Sequence, residues 1–163
     1  VGEEVRMTYR AITVLIKAQI ETVSNVGMVY TELQNPKFWD AFYSKFKPTT
    51  GEELVRAWEI DRLGFKDEVT FLCGVGYSPT RDRTHRIQVR AHASFQEKES
   101  HDNDFQNMVE LVVEALHDDP LLSGALLKPL TSVDVSVGRR MFGPVFCHYA
   151  ELDFELTERV ASS

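Results

Sequence analysis

The stretch from Asn103 to His117, N-D-F-Q-N-M-V-E-L-V-V-E-A-L-H, constrains this chain more than any other. Phe105, Met108, Val109, Val112, Val113 and Leu116 recur at helical spacing and form one broad apolar stripe. Glu110, Glu114 and Asp118 fall mostly off it. Asn103, with Gln106 three residues on, reads as a capping box, and Pro120 forbids the helix from continuing. A helix with a single apolar face needs a partner. Both of its flanks alternate like strands, so the pattern predicts a helix lying across a sheet.

The alternation before it is clean. From His85 to Glu97, Ile87, Val89, Ala91, Ala93 and Phe95 are expected to face the helix. Arg86, Gln88, Arg90, His92, Ser94 and Gln96 are expected to face away. After the helix, Val133, Val135 and Val137 alternate with Ser132, Asp134 and Ser136 in a further strand, and Gly138 to Pro144 reads as a turn. The last strand, Val145 to Glu158, places Phe146, His148, Ala150, Leu152, Phe154 and Leu156 on one side. Tyr149, Glu151, Asp153, Glu155 and Thr157 take the other. If the two polar faces are neighbours, cross-strand ion pairs simply solvate them. The alternative is a face shared with a second copy, or one that lines a passage.

The first half reads less evenly. Val5 to Val23 fits a helix with Tyr9, Ile12, Leu15, Ile16, Gln19, Ile20 and Val23 near one face, ended by Gly27. Met28 to Leu33 fits a short strand, and Asn35-Pro36 a new helical start. Lys37 to Phe46 is dense in aromatics. Phe38 and Phe42 lie four apart, as do Trp39 and Tyr43, so one helical turn brings each pair together. This short helix is either a lid on the core or a surface for another protein. Leu54 to Phe65 reads as a strand. Asp67 to Arg83, with its tip Arg81-Asp82-Arg83, fits either a hairpin extension or a long loop. The whole is one α+β domain over residues 1–163: an antiparallel or mixed β-sheet with helices packed on one face, an aromatic-rich short helix and a long hairpin or loop.

Little here points to chemistry. A net charge of −7 argues against broad binding to phosphate backbones, though a negative passage lets DNA slide without sticking. Cys73 and Cys147 match neither a disulfide framework nor a metal site, and read as buried thiols. No run has the ~18–20 apolar residues of a membrane span, and Glu3 and Glu4 stand where a signal peptide is basic. His85 and His92 are an odd number of residues apart on one strand and so point to opposite faces. His148, among apolar residues, reads as a hydrogen-bonded core histidine. Gly74 and Gly76 begin like a dinucleotide loop, but Pro79 stands where its last glycine belongs. Asp102 and Asp104 begin like a calcium loop, but Asn107 replaces its glycine. No metal, cofactor or catalytic residue is expected.

The order of elements does carry a likeness. M-F-G-P-V-F-C-H-Y-A-E-L-D-F-E-L, Met141 to Leu156, resembles the terminal strands of tail terminator proteins of tailed bacteriophages. V-Y-T-E-L-Q-N-P-K-F-W-D-A-F-Y-S-K-F, Val29 to Phe46, is similar to that family's aromatic-rich insertion after the first strand. R-A-W-E-I, Arg56 to Ile60, and the strand–helix pair His85 to His117 follow in the same order. The segment Asp67 to Arg83 departs from the pattern.

The resemblance implies a structural virion protein without turnover, made in the host cytoplasm. It implies a homo-oligomeric ring, a hexamer, that caps the tail tube and offers a docking face to neck or head completion proteins. Viral DNA would pass through the lumen without specific binding. On this reading, neighbour contacts are expected from Trp39, Phe42 and Tyr43. Axial contacts are expected from the loop around Arg81 and Arg83, and from Arg139, Arg140 and Phe142. Two rivals stay open: another joint such as a connector, stopper or tube protein, and a small ligand-binding or enzymatic domain using His92 and Glu151.

Overall fold

A computed structural model describes residues 9–34, 39–47, 55–70, 80–95 and 101–161. Eight elements follow in order: α1 (Tyr9–Glu21), β1 (Met28–Tyr30), α2 (Trp39–Phe46), β2 (Arg56–Thr70), β3 (Thr80–Ser94), α3 (His101–Asp118), β4 (Asp134–Phe142) and β5 (Val145–Ala161). The strands form one sheet in the order β1-β2-β3-β5-β4. Only β1 runs parallel to its neighbour; the other pairings are antiparallel. The fold is the expected α+β class with a mixed sheet.

The main core lies between one sheet face and the helices α1 and α3. Ile12, Ile16 and Ile20 from α1 are fully buried, as the period of the sequence requires. Phe105, Val109, Val112 and Leu116 do the same for α3. They meet Trp58 and Ile60 of β2, Ile87 and Val89 of β3, and Ala150, Leu152 and Leu156 of β5. The Trp58 indole N–H donates to the Val26 carbonyl at 2.9 Å, so the buried ring leaves no donor unmet. Gln19 donates to the Ala115 carbonyl at 2.6 Å and ties α1 to α3.

The opposite sheet face is covered at one end only. There α2 lays Phe42 and Phe46 over Val55, Ala57, Val145 and Cys147 in a second, smaller core. Ala57 and Trp58 are consecutive in β2, so the two cores sit on opposite sides of one strand. The aromatic helix is thus a lid, and the helices divide between both faces.

Several boundaries differ from the sequence pattern. α3 begins at His101, so Asn103 lies inside its first turn and caps nothing; Gln106 instead donates to Asp102 at 3.3 Å, one turn back. The turn expected from Gly138 is confined to Gly143-Pro144, because Gly138 to Phe142 remain paired with β5. Phe95 sits on the helix side as expected but is 45% exposed, because the strand outruns the helices. Asp67 to Arg83 resolves toward the hairpin: β2 pairs with β3 as far as Thr70↔Thr80. The apolar residues 71–75 and the expected first turn of α1 at 5–8 lie outside the described residues. Gly27 ends the α1–β1 connection at φ +94°, where a side chain would run into the Arg56 carbonyl.

Candidate assembly interface

Of the residues expected to meet other subunits, few are displayed as expected. Phe42 is 5% exposed and packs on Phe46 and Phe142, with ring centroids at 4.9 and 5.2 Å. It is spent on the fold, because an eight-residue helix can cover the sheet only by turning its aromatics inward. Tyr43 is half-buried and stands edge-on to Phe42. Trp39 lends its backbone to α2, and its side chain lies outside the described residues.

Arg81 and Arg83 are not in a loop. Both belong to β3, in the antiparallel pair with β2. Arg83 grips Asp67 through both carboxylate oxygens, at 2.6 and 2.9 Å, and Arg81 approaches the same carboxylate at 3.4 Å. The Arg83 guanidinium beside Asp67 holds that carboxyl below its ordinary value. The two arginines therefore brace an arm of three strands, since Thr80 to Thr84 also pair with Thr157 to Ala161. At its base, His85 and Glu158 meet at 2.9 Å in full burial.

Arg139, Arg140 and Phe142 all belong to β4. Arg139 lies on the helix side, its guanidinium 5.2 Å from the centre of the Phe95 ring. Arg140 lies on the other side, 3.9 Å from the Tyr149 ring. Phe142 is drawn into the small core against His92. Both arginines remain exposed.

What the sequence did not single out is the position of β4 itself. Among the described residues it is one of the sheet's two outer strands, and eight of its nine residues are exposed. It carries no proline, and its pairing with β5 runs from Asp134↔Asp153 to Phe142↔Val145 without a bulge. Proteins usually blunt such an edge, since its outward N–H and C=O groups are a template for another strand. Here the helix side of the edge is apolar as well: Val135, Val137 and Met141 are 43%, 47% and 57% exposed. Phe146 and Phe95, with ring centroids 5.8 Å apart, continue the patch. A groove of about 380 Å³ runs between Val135 and Val137 on one side and Val109 and Val113 of α3 on the other. The only sequence signal was the valine alternation, which marks a strand but not its place in the sheet.

The uncovered part of the polar face is paired across strands, as neighbouring β3 and β5 allow. Gln88 donates to Asp153 at 3.0 Å, and Arg90 reaches Gln88 at 2.8 Å and Asp61 at 3.7 Å. Arg86 stands opposite Glu155, and Arg90 opposite Glu151. Asp134 faces Asp153, so the outer part of this face keeps an acidic excess.

Four of the five histidines, His85, His92, His101 and His148, are buried. His85 and His92 face opposite sides of β3, as their odd spacing requires. His92 is buried, with Glu59 Oε1 3.3 Å from its Nε2. His148 is a core histidine whose Nε2 lies 3.1 Å from Nδ1 of His101. Burial pushes the Cys147 thiol up to about 12, which keeps it protonated and unreactive. Among the described residues, no group of three or more His, Cys, Asp or Glu side chains is placed to hold a metal ion. No helix among them is long and apolar enough to cross a membrane. No protein-family model matches the sequence, and no curated protein matches it.

Proposed function

We propose that this chain is a ring-forming tail terminator, a virion joint that caps a tail tube and offers its outer face to neck or head completion proteins. The observation that carries the reading is β4. A nine-residue edge with no further strand partner among the described residues, and with apolar side chains on one face, is a surface suited to meeting protein. The motif order from Val29 to Leu156 supports the choice of family. The three-stranded arm supports an axial role, since it projects the ends of β2 and β3 away from the helices' core residues. The acidic excess beside Asp134 and Asp153 suits a passage through which DNA moves without adhering.

The test is the purified protein itself. Native mass spectrometry and negative-stain images are expected to give a closed ring of six copies. A protein that stays monomeric at tens of micromolar overturns the reading. Labelled protein at the head–tail junction of particles supports a terminator; label spread along the tail marks a tube protein instead.

A further inference from the structure

Resting on the ring reading, we propose that neighbouring subunits join through their helix layers. The outer flank of α1 in one copy docks into the groove between α3 and β4 of the next. Val14 enters the groove, and Arg10 and Lys17 meet Glu110 and Glu114 at its rim.

The helix layer has two unlike flanks. Gln19 of α1 reaches the Ala115 carbonyl, so those sides of the two helices face each other. On the far side of α3, Gln106, Glu110, Val113 and Glu114 overlook β4, and Val135 and Val137 stay exposed below them in a groove of about 380 Å³. On the far side of α1, Lys17 and Glu21 share a hollow with Val26 to Val29, and Arg10 and Thr13 share another with Thr31 to Leu33. Those segments hold and follow β1, so this flank of α1 stands over the opposite edge of the sheet.

The flanks match in charge and in shape. Arg10, Val14 and Lys17 recur at spacings of four and three residues, so they share one face of α1 over about 10 Å. Val14, 51% exposed, stands between the two cations. Glu110 and Glu114 lie one turn apart on α3, with Val113 beside them. Like charges at that spacing oppose each other, and neither carboxylate has an ion-pair partner among the described residues. Arg10 has none there either. Lys17 lies 3.5 Å from Glu21, but both are nearly half-exposed, and such a pair holds weakly. The groove is lined by Val109, Val113, Val135 and Val137, so it takes a valine and the aliphatic stems of the two cations, whose charged heads stay at the acidic rim.

A two-fold joint through the same groove is the competing arrangement. It brings Glu110 and Glu114 of both copies together and leaves the α1 flank uncovered. Charge therefore favours the contact between unlike flanks, which closes a ring when repeated by rotation.

Charge exchange tests this. One variant carries Arg10→Glu with Lys17→Glu, the other Glu110→Lys with Glu114→Lys. Each alone is expected to lose the ring on native mass spectrometry. Mixed in equal amounts, they should regain it with the two chains in equal share, because every joint of an alternating ring then sets opposite charges together. A second measurement leaves the charges alone. Val14→Cys with Val137→Cys, in a Cys73→Ser background, should give a ladder of linked chains with a short bis-maleimide. Within one subunit α3 stands between the two positions, so the links form only between copies. A ring of normal mass that gives no ladder, or one that either charge variant still forms alone, overturns the joint and leaves the ring standing. Folded charge variants that do not combine on mixing overturn the joint as well. Dimers from Val137→Cys alone overturn it in favour of the two-fold joint. A wild-type protein that never leaves the monomer overturns both joint and ring.

Discussion

His92 and Phe142 stack face to face, with ring centroids 3.6 Å apart and planes 9° from parallel. The contact fastens the end of β4 to β3 across the intervening β5, under the aromatic helix. Phe42 and Phe46 close over Phe142 from the other side, at 5.2 and 4.7 Å.

That stack makes the fold sensitive to acid. Burial pushes the His92 imidazole below its ordinary value; Glu59 pulls it back up, while Arg140 and Arg90 add to the downward push. The folded protein therefore holds the ring neutral. Below about pH 6.5, the ordinary imidazole value, the unfolded chain takes up a proton that the folded one resists. The contribution is complete above that pH and is lost as pH falls through the lowered folded value. Urea unfolding midpoints should fall as pH drops below about 6.5. His92→Gln should show a shallower fall. Parallel profiles for the two proteins would show that another group governs the acid response.

The His85–Glu158 pair at the base of the arm is fully buried. Glu158→Ala leaves the buried His85 without its hydrogen-bond partner and should cost about 1–3 kcal/mol. Arg159 pairs with Asp82 at 3.0 Å but is half-exposed, so Arg159→Ala should cost only about 0–1 kcal/mol. Chemical denaturation measures both, and similar losses would contradict this contrast.

Gly27 has a φ of +94°, and a Cβ there meets the Arg56 carbonyl. Gly27→Ala should therefore destabilise by about 2 kcal/mol or more, through strain at one position. Thermal unfolding within a degree of wild type would show that the α1–β1 connection can shift to admit a methyl group.

Two hydrophobic substitutions should separate fold from assembly. Val137→Glu places a charge on an exposed edge and should leave the unfolding free energy within about 0.5 kcal/mol of wild type while abolishing the ring. Phe42→Ala opens a hole in the small core and should cost about 3–5 kcal/mol. Native mass spectrometry beside denaturant titration reads both effects. An intact ring from Val137→Glu would remove β4 from the joint.

The elements themselves were legible because their periods are strong. Ile12, Ile16 and Ile20 mark one helix, Phe105, Val109 and Leu116 another, and the alternation around Val89 and Leu152 gives the sheet faces. Alternation says which face a residue takes, not what lies across from it. His92, Gln88 and Ser94 took the expected side, yet they are buried there, partly because α2 returns over that end. Arg81 and Arg83 looked like a loop because they flank Asp82 and follow Gly76 and Pro79, residue types depleted in strands. They are a strand because β2 and β5 pair with them on both sides. The site suffered most. Whether a strand is an edge depends on strand order, which no local pattern encodes, so β4 passed as an ordinary strand and the aromatic helix drew the eye instead.

The order β3-β5-β4 has a consequence for timing. Among the described residues β4 pairs with β5 alone, and β5 is made after it. Until β5 has slotted in beside β3, the earlier strand has no sheet to belong to and no defined flank to show. If β4 is the assembly surface proposed above, a half-made chain does not yet offer it to a neighbour, and the order of synthesis would admit only finished subunits.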